Sequence, residues 1–192
     1  MSEATPTSRI LYGALVPLPG VYTLDPVHTF VEFVSQHLVV GRVRGQFDDV
    51  SGKATVADDP RQSALEVEIK AASLSTHNAM RDADLRSARF FDVEAFPTIT
   101  FHSDKIVAEL ANHWTVEGPL TIRNVTRPVA FSLSIAGIVV DPWGATRVGI
   151  HARAQASRKD FGLLADLERE TGGMLPGTDV AISFEAEALL QP

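Results

Sequence analysis

The chain has no cysteine. That absence excludes disulfide staples, thiol nucleophiles and cysteine-ligated zinc, and leaves the compartment open, because cysteine-free proteins occur everywhere. Basic residues are in the minority, 17 Lys and Arg against 24 Asp and Glu, for a formal net charge of −7. A nucleic-acid binder needs a basic stripe to neutralise phosphates. No run of Lys and Arg interleaved with aromatics occurs, so nucleic acid is not expected as a partner. Long apolar runs near the start are missing too. The stretch ILYGALVPLPG at 10–20 is far too short to span a bilayer, and Pro17 and Pro19 interrupt it. The opening MSEATPTS lacks the basic n-region of a secretory signal, which makes the cytoplasm the expected location. Residues 1–19 read as a leader, partly disordered, that covers a sheet edge or a cavity mouth. One domain is expected over 20–192.

What the chain does have is period-two alternation. In LEVEIKA, Leu65, Val67, Ile69 and Ala71 fall on one face and Glu66, Glu68 and Lys70 on the other. Val129, Phe131, Leu133 and Ile135 repeat the pattern, as do Ile150, Ala152, Ala154 and Ala156, and then Val180, Ile182, Phe184 and Ala186. One apolar and one polar face is the signature of antiparallel sheet wetted on one side. Turn signals at Asp58-Asp59-Pro60, Asn124, Asp141-Pro142-Trp143-Gly144 and Pro176-Gly177 separate the runs. About eight or nine strands follow, roughly 21–34, 38–48, 52–57, 64–71, 97–108, 113–121, 128–140, 146–157 and 178–190. That series suits a sandwich or a closed barrel, and a barrel leaves no edges. Two segments break the pattern: 77–92, which reads as helical, and 160–172.

Catalytic signatures are sparse. Asp82 and Asp84 are two apart on a helix and do not share a face; acids at a helix start also suit its dipole. Histidines at 28, 37, 77, 102, 113 and 151 show no metal-ligand spacing. His102 and His151 fall on polar strand faces, while His28 and His37 flank the first strand. No nucleophile elbow, zinc-protease or phosphate-loop motif is present. An eight-stranded barrel is just wide enough to be filled by side chains or to hold one small ligand. Three inward alanines at 152, 154 and 156 leave room, with Phe33, Phe47, Phe101, Phe131 and Phe184 as walls. A dry packed core satisfies the same alternation, so the residues alone leave both open. Arg158 continues the alanine face; inside a barrel it would need Asp82 or a ligand head group as partner, and past the rim it would need neither.

Seven stretches then occur in a telling order: YTLDPVHTFVEF at 22–33, His37, GQF at 45–47, ASLST at 72–76, RDADLRSARFFDVEAFPTITFHS at 81–103, VEGPLTIRNVTRPV at 116–129 and SRKDFGL at 157–163. In this order they resemble the YceI family of lipocalin-like polyisoprenoid-binding proteins, over about residues 20–190. The resemblance implies an all-β fold, an extended eight-stranded antiparallel barrel with the helical insert near 77–92 laid over it. It implies binding, storage or transport of a long-chain amphiphilic lipid, with an isoprenoid or quinone-like tail, by a protein that is not an enzyme and needs no cofactor or metal. The lid would deliver Leu85, Phe90 and Phe91 to the interior. The strands would add Val31, Phe33, Phe47 and Ile69, then Ile99, Phe101, Leu120 and Phe131, with Ala154, Phe161 and Phe184 completing the pocket. His37, Arg81, Asp82 and Arg158 would supply polar groups at its mouth.

Three departures from the family pattern stand out. Asp84 replaces a usual histidine, Asn124 replaces a usual turn glycine and is expected to take its positive φ, and the signal peptide of many members is not recognised. Two other readings remain: an enzyme acting on an amphiphile through Asp82, Arg158 or His37, and a ligand-free structural or stress-related barrel. Self-association as a homodimer, through an exposed strand or the leader, fits the sequence without being revealed by it.

Overall fold

Alternation along the chain becomes eight long antiparallel strands closed into one barrel. The computed structural model describes residues 7–37, 41–109, 112–163 and 178–192, with the backbone alone at His37. A hairpin comes first, β1 (Ser8–Leu11) and β2 (Ala14–Pro17). Its two-residue turn places Tyr12 and Gly13 at φ 54° and 73°, the pair of positive φ angles that a type I′ turn requires.

The barrel begins with β3 (Gly20–Leu24) and β4 (Phe30–His37), one long strand interrupted by a 3-10 turn at Pro26–His28. β5 (Gly41–Phe47) returns along β4, and β6 (Val50–Val56) along β3. β7 (Ala64–Lys70) pairs with β6 and β8 (Leu74–Ser75) with β5; the helix α1 (Ala79–Arg86) follows. β9 (Thr98–His102) runs beside β7, and β9 and β10 (Lys105–Ala108) both pair with β11 (His113–Ile122). β12 (Val125–Val140), β13 (Thr146–Ser157) and β14 (Asp179–Leu190) complete the meander, and β14 closes onto β3 and β4.

Several details differ from the sequence expectation. The runs read as separate strands at 38–48 and 52–57 are halves of one bent strand, because β5 must follow β4 and β6 must follow β3 across the break at residues 25–29. The helix is shorter than 77–92. Ser87 ends it by donating through Oγ to the Asp84 carbonyl at 2.6 Å, and tight turns carry the chain on to Phe96. In the two-residue turn between β11 and β12 the positive φ belongs to Arg123 (56°), not Asn124. Positive φ at the first central position alone is the type II′ pattern, and the Arg123 guanidinium lies 5.6 Å from the Phe96 ring centroid. Residues 8–17, expected as leader, form the β1–β2 hairpin, with Ala14 and Val16 buried against Ile106, Trp114 and Val116. Of the insertion expected at 160–172, Arg158–Phe161 forms a 3-10 turn and 164–172 lies outside the described residues.

A partly buried ion-pair knot locks the strand break at residues 25–29. Arg147 donates through Nη1 to Asp25 Oδ2 (2.7 Å) and Glu187 Oε2 (2.9 Å), and through Nε to Asp141 Oδ2 (2.8 Å). His28 Nδ1 lies 3.0 Å from Asp25 Oδ2. Asp25, His28 and Glu187 approach one another as metal ligands would. Arg147 already bridges the two carboxylates, so the cluster is a structural tie. Among the described residues no helix is long and apolar enough to cross a membrane.

Candidate functional site

One half of the barrel is hollow. A cavity of about 470 Å³ opens toward the end where β4 and β13 finish. Its walls are the apolar faces that alternation defined: Leu65, Val67 and Ile69 on β7, Phe131 and Leu133 on β12, Val180, Ile182 and Phe184 on β14. Ala152 and Ala156 line β13, and their small side chains leave the space unfilled. The aromatic walls brace one another. Phe33 and Phe47 sit with centroids 5.7 Å apart, Phe91 meets Phe47 edge-on at 5.7 Å, and Phe101 meets Phe131 at 5.0 Å. Such tilted and edge-on pairs add to the gain from burial. Gly45 lies directly opposite Phe33, and the Phe33 ring occupies the space that a Cβ on Gly45 would take.

The segment RDADLRSARFF covers this cavity. Asn78 caps α1, its Oδ1 accepting from Arg81 N at 3.0 Å. The helix is too short to be stable by itself, and side-chain bonds to the chain before it hold it down. Asp82, 7% exposed, accepts from Thr76 N at 2.8 Å and from Thr76 Oγ1 at 2.5 Å. Arg81 donates to Thr76 Oγ1 (2.7 Å) and the Thr76 carbonyl (2.9 Å). Arg86 donates to the carbonyls of Ala72 (3.0 Å) and Leu74. Burial opposes ionisation of Asp82, but the two bonds from Thr76, with the guanidinium charges of Arg86 and Arg81, outweigh it and hold its carboxyl below the usual range. So latched, the segment sets Leu85, Phe90 and Phe91 against the cavity.

Of the fourteen apolar side chains expected in a pocket, thirteen line this cavity: Val31, Phe33, Phe47, Ile69, Leu85, Phe90, Phe91, Ile99, Phe101, Leu120, Phe131, Phe161 and Phe184. Ala154 does not; its methyl packs with the core cluster. Arg81 and Arg158 lie at the lining, and burial lowers the Arg158 pKa from its ordinary value. Asp82 faces Thr76 instead of the cavity, and the His37 side chain lies outside the described residues.

The sequence reading missed the remaining polar groups there, Ser35, Gln36, Asp84 and Ser157. Ser35 is in phase with Val31 and Phe33, so strict alternation would have found it. Strand register sets Ser35 beside Val180, and Val180 beside Ala156, one residue from Ser157. Asp84, half-exposed, meets Arg89 at 3.2 Å. Polar groups therefore gather at the open end, and hydrocarbon walls fill the depth.

A closed antiparallel meander with an apolar hollow of this size is a cavity-bearing barrel of the kind lipocalins exemplify. The chain belongs to the YceI family: the model of the YceI-like domain matches residues 22–188. A UPF0312 protein of Photorhabdus laumondii is 35% identical over 179 residues, 92% of this chain and 91% of the relative. Among solved structures, Burkholderia cenocepacia BcnA superposes with a TM-score of 0.75 at 20% identity, covering 85% of this chain and 98% of that one. A polyisoprenoid binding domain from Saccharophagus degradans gives 0.68 at 17% identity, over 88% and 98%.

Proposed function

We propose that this protein binds a long-chain amphiphilic lipid, an isoprenoid or a quinone-like molecule, and acts as its carrier or store. The cavity of about 470 Å³ carries the reading: its depth is hydrocarbon and its polar groups stand at the open end. Each buried methylene contributes about 0.8 kcal/mol, so a tail of several isoprene units binds well even after the loss of its conformational freedom. In this reading the polar head is met by Arg81, Asp84, Arg158 and Gln36, and the tail by Phe33, Phe47, Phe91 and Phe184, all of which line the cavity. The similarly folded Saccharophagus degradans protein is a polyisoprenoid binding domain, which supports the same ligand class. A carrier role is favoured over catalysis because Asp82, the carboxylate considered for chemistry, is committed to holding the lid.

Addition of geranylgeraniol or a ubiquinone to delipidated protein tests this. At about a hundredfold excess over Kd the ligand stabilises by ~2.7 kcal/mol, a rise readable in the thermal midpoint. The variant Phe91→Asp places a charge against the cavity; it is expected to keep the barrel's circular dichroism and lose the ligand-induced rise. No rise with either lipid in the unmodified protein would contradict the proposal. A full rise in Phe91→Asp would contradict the assignment of Phe91 to the tail.

A further inference from the structure

A second cavity, of about 90 Å³, lies at the end of the barrel against the β1–β2 hairpin. Val16, Ala54, Trp114, Val148 and Ala188 are among its walls. Leu65, Val116, Leu133 and Ile150 line both cavities. They come from β7, β11, β12 and β13, which lie along one arc of the barrel, so they form a side-chain waist between the two cavities on that side of the interior. All four are aliphatic, and nothing at the waist penalises a passing hydrocarbon. Beyond it the barrel is stopped by the β1–β2 hairpin, whose Val16 and Pro17 line the small cavity. Arg9 pins that hairpin by donating to the carbonyls of Asp58 (2.8 Å) and Ala57 (2.6 Å).

We infer that Leu65, Val116, Leu133 and Ile150 are the length gauge of the ligand tail. This rests on the reading that the main cavity takes a lipid tail. A chain that just fills the main cavity ends at the waist. A longer linear chain passes along these side chains and ends in the small cavity against the hairpin. The lining of this cavity is apolar apart from Ser63, and it lacks contact partners on the open side. A chain end entering it therefore gains contacts without desolvating a polar group, strengthening binding about fourfold per methylene.

The test is retention by length. An equimolar mixture of polyprenyl alcohols from geraniol to solanesol is offered to delipidated protein, and the bound species are read by native mass spectrometry. Ala54→Leu fills the small cavity without touching the main one. It is expected to lower retention of the longest alcohols the unmodified protein holds by about tenfold or more, leaving shorter ones unchanged. Leu133→Ala opens the waist and is expected to move the profile toward longer chains, so the gauge is read in both directions even if one variant fails to fold. An unchanged length profile in the folded variants would overturn the gauge alone, as would loss of short and long chains together. Retention of no alcohol by the unmodified protein would overturn the tail-binding reading and the gauge with it.

Discussion

Asp25 shows how a single residue ties distant parts of this fold together. Hydrogen bonds from Arg147 first, and from His28 next, hold its carboxyl down to about 2, against the partial opposition of burial. Below its ordinary pKa near 4 the unfolded chain takes up a proton that the folded chain refuses. This contribution to stability is therefore complete above about pH 5 and is lost as pH falls through 4 toward 2. Urea unfolding at pH 5.5 and pH 2.5 is expected to show a smaller acid loss for Asp25→Asn than for the unmodified protein. Equal losses would remove Asp25 from the acid sensitivity. Nothing local announces this knot, since Asp25 and Arg147 are 122 positions apart. The inward residues of the barrel are the opposite case. Leu65, Val67 and Ile69 alternate with charged neighbours, and that alternation is itself the physical cause of their orientation. Arg123 lies between these cases: asparagine tolerates positive φ well, but the ring of Phe96, 27 positions earlier, is where the arginine beside it rests.

At the scale of elements, the lid is a segment whose fold is borrowed. Half of the eight residues of α1 are charged, and the tie to Thr76, Ala72 and Leu74 keeps the helix in place. Asp82→Ala strands the buried Thr76 N–H and hydroxyl at a cost of about 1–3 kcal/mol, and that cost falls on the lid before the barrel. Hydrogen exchange is expected to show amides of 79–96 opening faster in this variant while those of β12, β13 and β14 hold. Uniform acceleration would mean that lid and barrel open as one unit. The sequence made the position of this element plain, since RDADLRSARFF interrupts the alternation. It misplaced the end, because helical spacing continues through residue 92 while Ser87 turns the chain by bonding back to Asp84. Likewise the paired breaks in β3–β4 and β5–β6 needed the partner strand to be known before two short runs could be seen as one bent strand.

For the molecule as a whole, alternation specifies a barrel but is silent on whether the barrel is full. Filling depends on summed side-chain volumes across strands far apart in sequence, where Ala152 and Ala156 on one side face Phe33 and Phe101 elsewhere in the ring. The family resemblance favoured a hollow interior, and the structure holds a cavity of about 470 Å³. An interior normally packs to crystal-like density, and void carries a stability penalty. A cavity of this size with walls this apolar is explained if a ligand fills it. The most direct measurement is native mass spectrometry of the protein purified from its own host, before and after organic extraction. The account predicts a stoichiometric long-chain lipid that extraction removes. A protein that flies at its bare polypeptide mass, and that yields no lipid to solvent, would contradict it.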